Sequence, residues 1–319
     1  MKEDLRKYLE QKGKTHTWAE IYEMFPYKGL DITRKQMADG VRSVWRKIKR
    51  AEGKREERNR MPKILIFDIE TAPLKAYVWR LWKQNINPLN GQLQSEWFML
   101  TYSAKWLFDN NIISERLTSK EALEENDSRL VQNLWNLFDE ADIIIAHNAK
   151  NFDIKVMNTR FLKMGLPSPS HYQTIDTLYH AKKQFSLESN KLDYIAKFLG
   201  LGSKIKTSFE LWESCVNGDE EALLEMSKYN DQDVFLLEDV YLKMRPFIKP
   251  HPNVTLFFDS DIERCPTCGS DELETVGTYD TQVSSFNSIR CKCCGSVSRN
   301  RVNNISTHKR KNLLVSNAR

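Results

Sequence analysis

The sequence has no run approaching the roughly eighteen consecutive apolar residues that a membrane-spanning helix needs. Its first residues, MKEDLRKYLEQKGK, lack the apolar core of a signal peptide. No membrane association is therefore expected, and a cytoplasmic setting is. Cysteine is scarce over most of the chain: of six in 319 residues, five fall between positions 265 and 294, and Cys215 stands apart. That crowding argues against a disulfide framework spread through a secreted domain and for a metal site. Cys215 reads as a packed thiol.

Charge is divided unevenly. Residues 1–60 hold 17 Lys+Arg against 10 Asp+Glu, residues 61–259 hold 22 against 27, and residues 260–319 hold 9 against 6. Two basic ends thus flank an acidic middle, and the ends are suited to attract nucleic acid. With 40% hydrophobic residues over 319 positions, the chain can form two or three domains and a substantial central core.

Four carboxylates in three separated pieces carry the chemistry: Asp68 and Glu70 in FDIET, Asp153 in HNAKNFD, and Asp233 in YNDQD. Asp68 and Glu70 end the apolar run KILIFDIE, and i and i+2 side chains project from one face of a strand. Asn148 and Asp153 follow the apolar run from Ile143 to Ala146, where a strand gives way to a helix. Tyr229 and Asp233 are spaced i and i+4 and share a helix face. All-oxygen ligands suit hard Mg²⁺ or Mn²⁺ rather than zinc. The set reads as a two-metal phosphodiesterase site.

In order, these pieces resemble motifs I, II and III of the DEDD (DnaQ-like) 3′→5′ exonucleases. Motif I is Asp68-x-Glu70, motif II is Asn148-x3-Phe152-Asp153, and motif III is Tyr229-x3-Asp233. Tyr229 places the resemblance in the DEDDy branch, since the sister branch carries a His in this motif instead. It covers roughly residues 62–250 and is similar to free-standing exonuclease domains related to the proofreading domains of family B polymerases, often found in phage and bacteria. The resemblance implies a ribonuclease H-like mixed sheet with flanking helices. It also implies two Mg²⁺ or Mn²⁺ ions held by Asp68, Glu70, Asp153 and Asp233, one activating water and the other stabilising the leaving 3′ oxygen. Tyr229 would position or help deprotonate the water, Asn148 and Phe152 would bind substrate, and a nucleoside 5′-monophosphate would leave a 3′ end. The setting implied is the cytoplasm of a bacterium or a phage-infected host. Polymerase motifs are absent, so editing would require a separate enzyme.

Periodicity extends this plan into an α/β architecture of several parts. Residues 1–60 read as three short helices and a linker, with Trp18, Ile21, Tyr22 and Phe25 on one stripe and Met37, Val41, Val44, Trp45 and Ile48 on another. The third helix adds Arg34, Lys35, Arg42, Arg46, Lys47, Lys49 and Arg50, which resembles a helix-turn-helix recognition helix; a solvated basic helix is the alternative. Residues 61–250 form the exonuclease domain, with strands in KILIFDIE, WFMLTYSAKWLF, IISERLT and IIIAHN and an amphipathic helix at Leu130 to Phe138. Residues 251–300 form a ribbon, and 301–319 a basic tail with Arg301, Lys309, Arg310 and Lys311.

Between the first two strands, Tyr77, Trp79, Trp82 and Trp97 are expected chiefly to fill core, as large aromatics do. Their alternative is stacking on the last bases of a strand, with Arg80 and Lys83 on phosphates. Asp176 caps a helix or orients a site residue. His147 is a structural histidine. Lys191, Lys204 and Lys206 are solvated or touch the substrate backbone.

The C-terminal part carries two Cys-x2-Cys-Gly knuckles, Cys265-Pro-Thr-Cys268-Gly269 and Cys291-Lys-Cys293-Cys294-Gly295, separated by 22 residues. This is four-cysteine zinc-ribbon spacing. The repeated Gly selects Cys294 over Cys293, so Cys265, Cys268, Cys291 and Cys294 are the expected ligands of one structural Zn²⁺. Redox-active pairs are disfavoured because no thioredoxin-like pattern surrounds them.

The function read from these features is metal-dependent 3′→5′ hydrolysis of DNA, preferably single-stranded, with a replication or repair protein as a further partner. Two alternatives stand beside it: an exoribonuclease, since recognition of the 2′-OH leaves no short signature, and a DNA-binding or recruitment protein with a vestigial site.

Overall fold

The computed structural model describes residues 60–315 except 81, 84 and 258. The basic helix-turn-helix-like segment expected over residues 1–60 lies outside the described residues but for Arg60. Residues 62–255 and 262–315 belong to one compact unit.

Its strands β1 (Ile64–Thr71), β4 (Met99–Trp106), β5 (Ile113–Arg116), β6 (Ile143–Ala146) and β7 (Gln173–Asp176) build a sheet ordered β5-β4-β1-β6-β7. β4 and β5 run antiparallel to their neighbours, whereas β6 and β7 continue parallel to β1. The short β2 (Lys75–Ala76) and β3 (Leu93–Ser95) pair separately, between β1 and β4 in the chain.

Period two sorts β1. Leu65, Phe67 and Ile69 enter the principal core, and Asp68 and Glu70 leave from the opposite face. Two helices cover the Phe67 face. One is α2 (Ser128–Glu140), which follows α1 (Ser119–Leu123) and buries Leu130, Val131, Leu134 and Phe138 at helical spacing; the other is α3 (Asp153–Lys163). Phe138 meets Phe67, Phe161 and Tyr172 edge-to-face with ring centroids 4.9, 5.7 and 5.6 Å apart. Each such buried ring contributes roughly 1.5–3 kcal/mol of apolar transfer.

The Asp68 face is covered by α7 (Glu220–Met244), which follows α4 (Thr177–Gln184), α5 (Leu192–Phe198) and α6 (Phe209–Val216). Asp219 caps α7, accepting from the backbone N–H groups of Glu221 at 2.9 Å and Ala222 at 3.1 Å. Its rotation is fixed from β4: Lys105, buried, pairs with Glu238, which also accepts from the Phe108 N–H at 2.9 Å. A buried pair of this kind contributes more to register than to net stability. It sets which face of α7, bearing Tyr229, Asn230 and Asp233, looks onto β1. Among the described residues no helix is long and apolar enough to cross a membrane.

The C-terminal strands β8 (Leu273–Asp280), β9 (Ser285–Cys291) and β10 (Val297–Asn303) form an antiparallel sheet, and the short α8 (Thr307–Lys311) follows. Their core is Cys265, Cys291 and Cys294 with Cys268 and Leu273 packed against them. A segment with so little apolar core has other sources of stability open to it, and ligation of its thiols is one.

Candidate active site

Sheet and helix converge on the acidic centre. β1 supplies Asp68 and Glu70, and α7 supplies Asp233, so that one carboxylate oxygen from each lies within 4.8 Å of the others. Asp153 is not among those gathered atoms. It opens α3, is 1% exposed, and feels the charges of Asp68 and Glu70. Its Oδ2 and the Oδ1 of Asp233 are buried without a hydrogen-bond partner. Asp68 Oδ2 accepts from Asn230 Nδ2 at 2.7 Å.

Burial, and then mutual repulsion, makes ionisation of this cluster difficult. Asp68 is pushed up to about 7 by burial and by the Asp233 charge, against the pull of Lys204. Glu70 is pushed up to about 8 by burial and by Asp68. Asp153 and Asp233 are raised as well, each chiefly by burial. Lys204 supplies positive charge, reaching Asp233 Oδ2 at 2.5 Å and the Tyr229 hydroxyl at 3.2 Å. One ammonium amid four carboxylates leaves the cluster short of positive charge and two buried oxygens unpartnered. Hard oxygen donors in such a cluster fit divalent Mg²⁺ or Mn²⁺.

Tyr229 is held by α7 beside this centre, and burial followed by the Asp233 charge pushes its phenol up to about 12. It stays protonated near neutrality and can donate but not abstract a proton. Trp212 on α6 stands edge-on to Tyr229 at 6.3 Å and helps hold the charged form of Glu70. Asn230 and Trp212 were not singled out by the sequence.

Asp176 makes hydrogen bonds in two places at once. It caps α4 through the Tyr179 N–H at 3.1 Å, and it accepts from the Asn148 and Lys150 N–H groups, each at 3.1 Å. It thereby ties down the turn, with Asn148 at φ +78°, that leads through Phe152 into Asp153. Asn148 is half-buried and Phe152 is 40% exposed. His147 is structural: its ring nitrogens meet Thr177 Oγ1 at 2.9 Å and the Asn190 carbonyl at 3.0 Å, and burial lowers it to about 4. A cleft of about 560 Å³ adjoins, lined in part by Asn148, Lys182, Lys191 and Lys204.

The core expectation fails for three of the four aromatics between β1 and β4. Tyr77, Trp79 and Trp82 are 71%, 94% and 81% exposed. The intervening segment does not fold back onto the sheet but pairs with itself, so its rings have no core to enter. Trp97 alone is half-buried, beneath the Arg160 guanidinium at 5.5 Å.

The four sulfurs of Cys265, Cys268, Cys291 and Cys294 lie within 4.8 Å of one another, whereas Cys293 is exposed. The two knuckles are built alike. Gly269 N–H donates to the Cys265 carbonyl at 2.8 Å and Gly295 N–H to the Cys291 carbonyl at 2.9 Å, with φ +81° and +77°. Both turns need the left-handed region that glycine enters freely. Cys265 and Cys294 approach to 3.6 Å, as do Cys268 and Cys291, well beyond a disulfide's roughly 2.05 Å. The arrangement is compatible with a tetrahedral metal site.

The sheet order, read by chain position among its own strands as third, second, first, fourth, fifth, with helices on both faces, fits a ribonuclease H-like fold. Together with the acidic cluster it supports a nuclease of that fold. Residues 103–245, which span Asn148, Asp153, Tyr229 and Asp233, match the RNase_H superfamily. Over 134 residues the chain is 27% identical to the DNA polymerase III PolC-type of Ureaplasma parvum serovar 3. That alignment takes in 42% of this chain and 9% of the relative's length.

Proposed function

We propose that this chain is a 3′→5′ exonuclease of the DEDDy kind, acting on single-stranded DNA and releasing nucleoside 5′-monophosphates. The observation that carries the reading is the convergence of Asp68, Glu70 and Asp233 within 4.8 Å, with the unpartnered oxygens of Asp153 and Asp233 buried beside it. The superfamily match supports phosphodiester chemistry, and the name of the PolC-type relative, a DNA polymerase, favours DNA.

Asp68, Glu70, Asp153 and Asp233 would hold two Mg²⁺ or Mn²⁺ ions. When bound, such ions polarise a phosphate and lower the pKa of water so that hydroxide is accessible near neutrality. Tyr229, kept protonated, donates a hydrogen bond that orients the nucleophile. Lys204, within reach of both Tyr229 and Asp233, offers a cation to the phosphate. Phe152 offers an open ring face to the terminal base, and Asn148 is fixed next to it by Asp176. Cys265, Cys268, Cys291 and Cys294 would hold a structural Zn²⁺, since four thiolates leave no open coordination position.

Digestion of 5′-labelled single-stranded DNA, duplex DNA and RNA, with Mg²⁺ or Mn²⁺, tests the reading. Stepwise shortening of the single-stranded DNA with mononucleotide release is expected. Internal cuts, or no hydrolysis of any strand, would overturn it, and faster trimming of RNA would replace DNA as the substrate.

A further inference from the structure

The segment between β1 and β4 leaves the sheet two residues after Glu70, where the Ala72 N–H donates to the Phe98 carbonyl at 2.8 Å. It returns on itself through β2 and β3, with the Tyr77 N–H bonded to the Gln92 carbonyl at 2.8 Å. Glu125 fixes its base: it accepts from Ser95 Oγ at 2.5 Å and lies 3.6 Å from Lys75 Nζ. The result is an arm anchored at its root and rooted beside the acidic centre. Its outer part carries Tyr77, Trp79 and Trp82, each more than two-thirds exposed, together with Arg80 and Lys83. Across residues 72–97 there are three cations and one carboxylate, Glu96, within a middle region that is otherwise acidic. Among the described residues neither Arg80 nor Lys83 makes an ion pair.

We infer that this arm is a stacking platform for unpaired bases of a single-stranded nucleic acid whose 3′ end lies at the acidic centre. The inference rests on the proposed nuclease reading and adds the surface that selects an unpaired strand. Folding leaves the three rings in water, an unfavourable exposure for such large apolar area, so their use is external. Wide π-faces interleaved with unpaired cations match a strand that presents bases and phosphates alternately. An apolar protein partner would not call for Arg80 and Lys83. From Glu70 to Trp79 the chain reaches at most about 30 Å, which limits the platform to the few nucleotides next to the scissile end. Stacking tolerates either sugar, so DNA and RNA strands are two sources of one chemistry.

The test uses the full chain and two variants, Trp79→Ala with Trp82→Ala, and Arg80→Gln with Lys83→Gln. Binding of fluorescent oligothymidylate and oligouridylate is measured across a salt series without added Mg²⁺ or Mn²⁺, and kcat and KM are measured with them. Loss of the two tryptophans should weaken binding and raise KM for a long single strand at least about ten-fold while kcat holds. Thermal unfolding should change little, because the Trp79 and Trp82 rings are 94% and 81% exposed. The Arg80/Lys83 variant should flatten the salt dependence of log K by about 1.4, two phosphate contacts at roughly 0.7 each. Equal loss on both oligonucleotides fits stacking, and loss confined to one assigns the arm to that strand. Unchanged binding and KM in the tryptophan variant would overturn the inference, and so would a fall in kcat with KM unaltered. Because binding is read without catalysis, a wild-type chain that cuts nothing would overturn the nuclease reading, and the same titration would still decide whether the rings hold a strand.

Discussion

The Lys204 ammonium donates to Asp233 Oδ2 at 2.5 Å, so a carboxylate only 1% exposed shares its charge with a lysine from the loop before α6. Burial works against the Lys204 charge, and Asp233 and Asp68 more than offset it. A divalent ion at Asp233 must compete with that ammonium. Above about pH 8, where Asp68 and Glu70 are ionised, Lys204→Met should tighten Mn²⁺ binding about ten-fold, or ~1.4 kcal/mol, in a calorimetric titration. Weaker binding would mean that Lys204 organises the carboxylates instead of competing for them.

Replacing Asp68 by Asn removes a ligand charge and little volume, and the amide oxygen can still accept from Asn230. Hydrolysis should fall by roughly a hundred-fold or more, with folding and strand binding retained. Tyr229→Phe should cost nearer ten-fold, since a phenol held at about 12 orients water without deprotonating it. Unaltered cleavage by the Asp68 variant would remove the site assignment.

What could be read in the sequence was whatever lies within one strand or one helix turn. Asp68 with Glu70 and Tyr229 with Asp233 are such local pairs, and the alternation of β1 announced its two faces. Asn230 meets Asp68 across 162 residues of sequence, and no local period signals that contact. Lys204 was one lysine among three, and only its loop's path over α7 separates it from Lys191 and Lys206. Trp79 and Trp82 misled because composition says that a ring seeks burial, while exposure depends on whether the segment has a surface to fold onto.

The raised carboxylates also set a pH dependence of stability. Asp68 rises from 3.8 to about 7 and Glu70 from 4.5 to about 8, so between roughly pH 4 and pH 8 the folded state binds more protons than the unfolded state. Stability without divalent ions is then greatest at the acid side of that window and falls as pH rises through it. The total is at most on the order of 10 kcal/mol. Mg²⁺ should reverse the trend by binding the ionised cluster. Chemical denaturation at several pH values, with and without Mg²⁺, checks both signs. A metal-free protein that gains stability from pH 5 to pH 8 would contradict the burial of these groups.

For the C-terminal ribbon, protein purified without added zinc should hold about one Zn²⁺ per chain. Cys294→Ser should release it and expose residues 265–295 to proteolysis, because the thiols form most of that segment's core. Cys293→Ser should change neither, since that side chain is exposed. Equal zinc retention by the two variants would show the wrong fourth ligand.

Asp176 is the most informative residue outside the acidic centre, since its carboxylate serves α4 and the turn before Asp153 at once. Asp176→Ala loses acceptors for the Asn148, Lys150 and Tyr179 N–H groups. If each is worth on the order of 1 kcal/mol, about 3 kcal/mol of stability should go. A pure helix cap would account for only the Tyr179 share, about 1 kcal/mol, and would leave kcat untouched. A positioning residue predicts more: Asn148 and Asp153 gain freedom, Mn²⁺ binding weakens, and kcat falls by roughly ten- to hundred-fold, as for the outer partners of metal ligands. Asp176→Asn keeps one acceptor oxygen and should recover part of both losses. Stability and kcat measured together separate the cases, and a destabilised Asp176→Ala protein with wild-type kcat would reduce Asp176 to a cap.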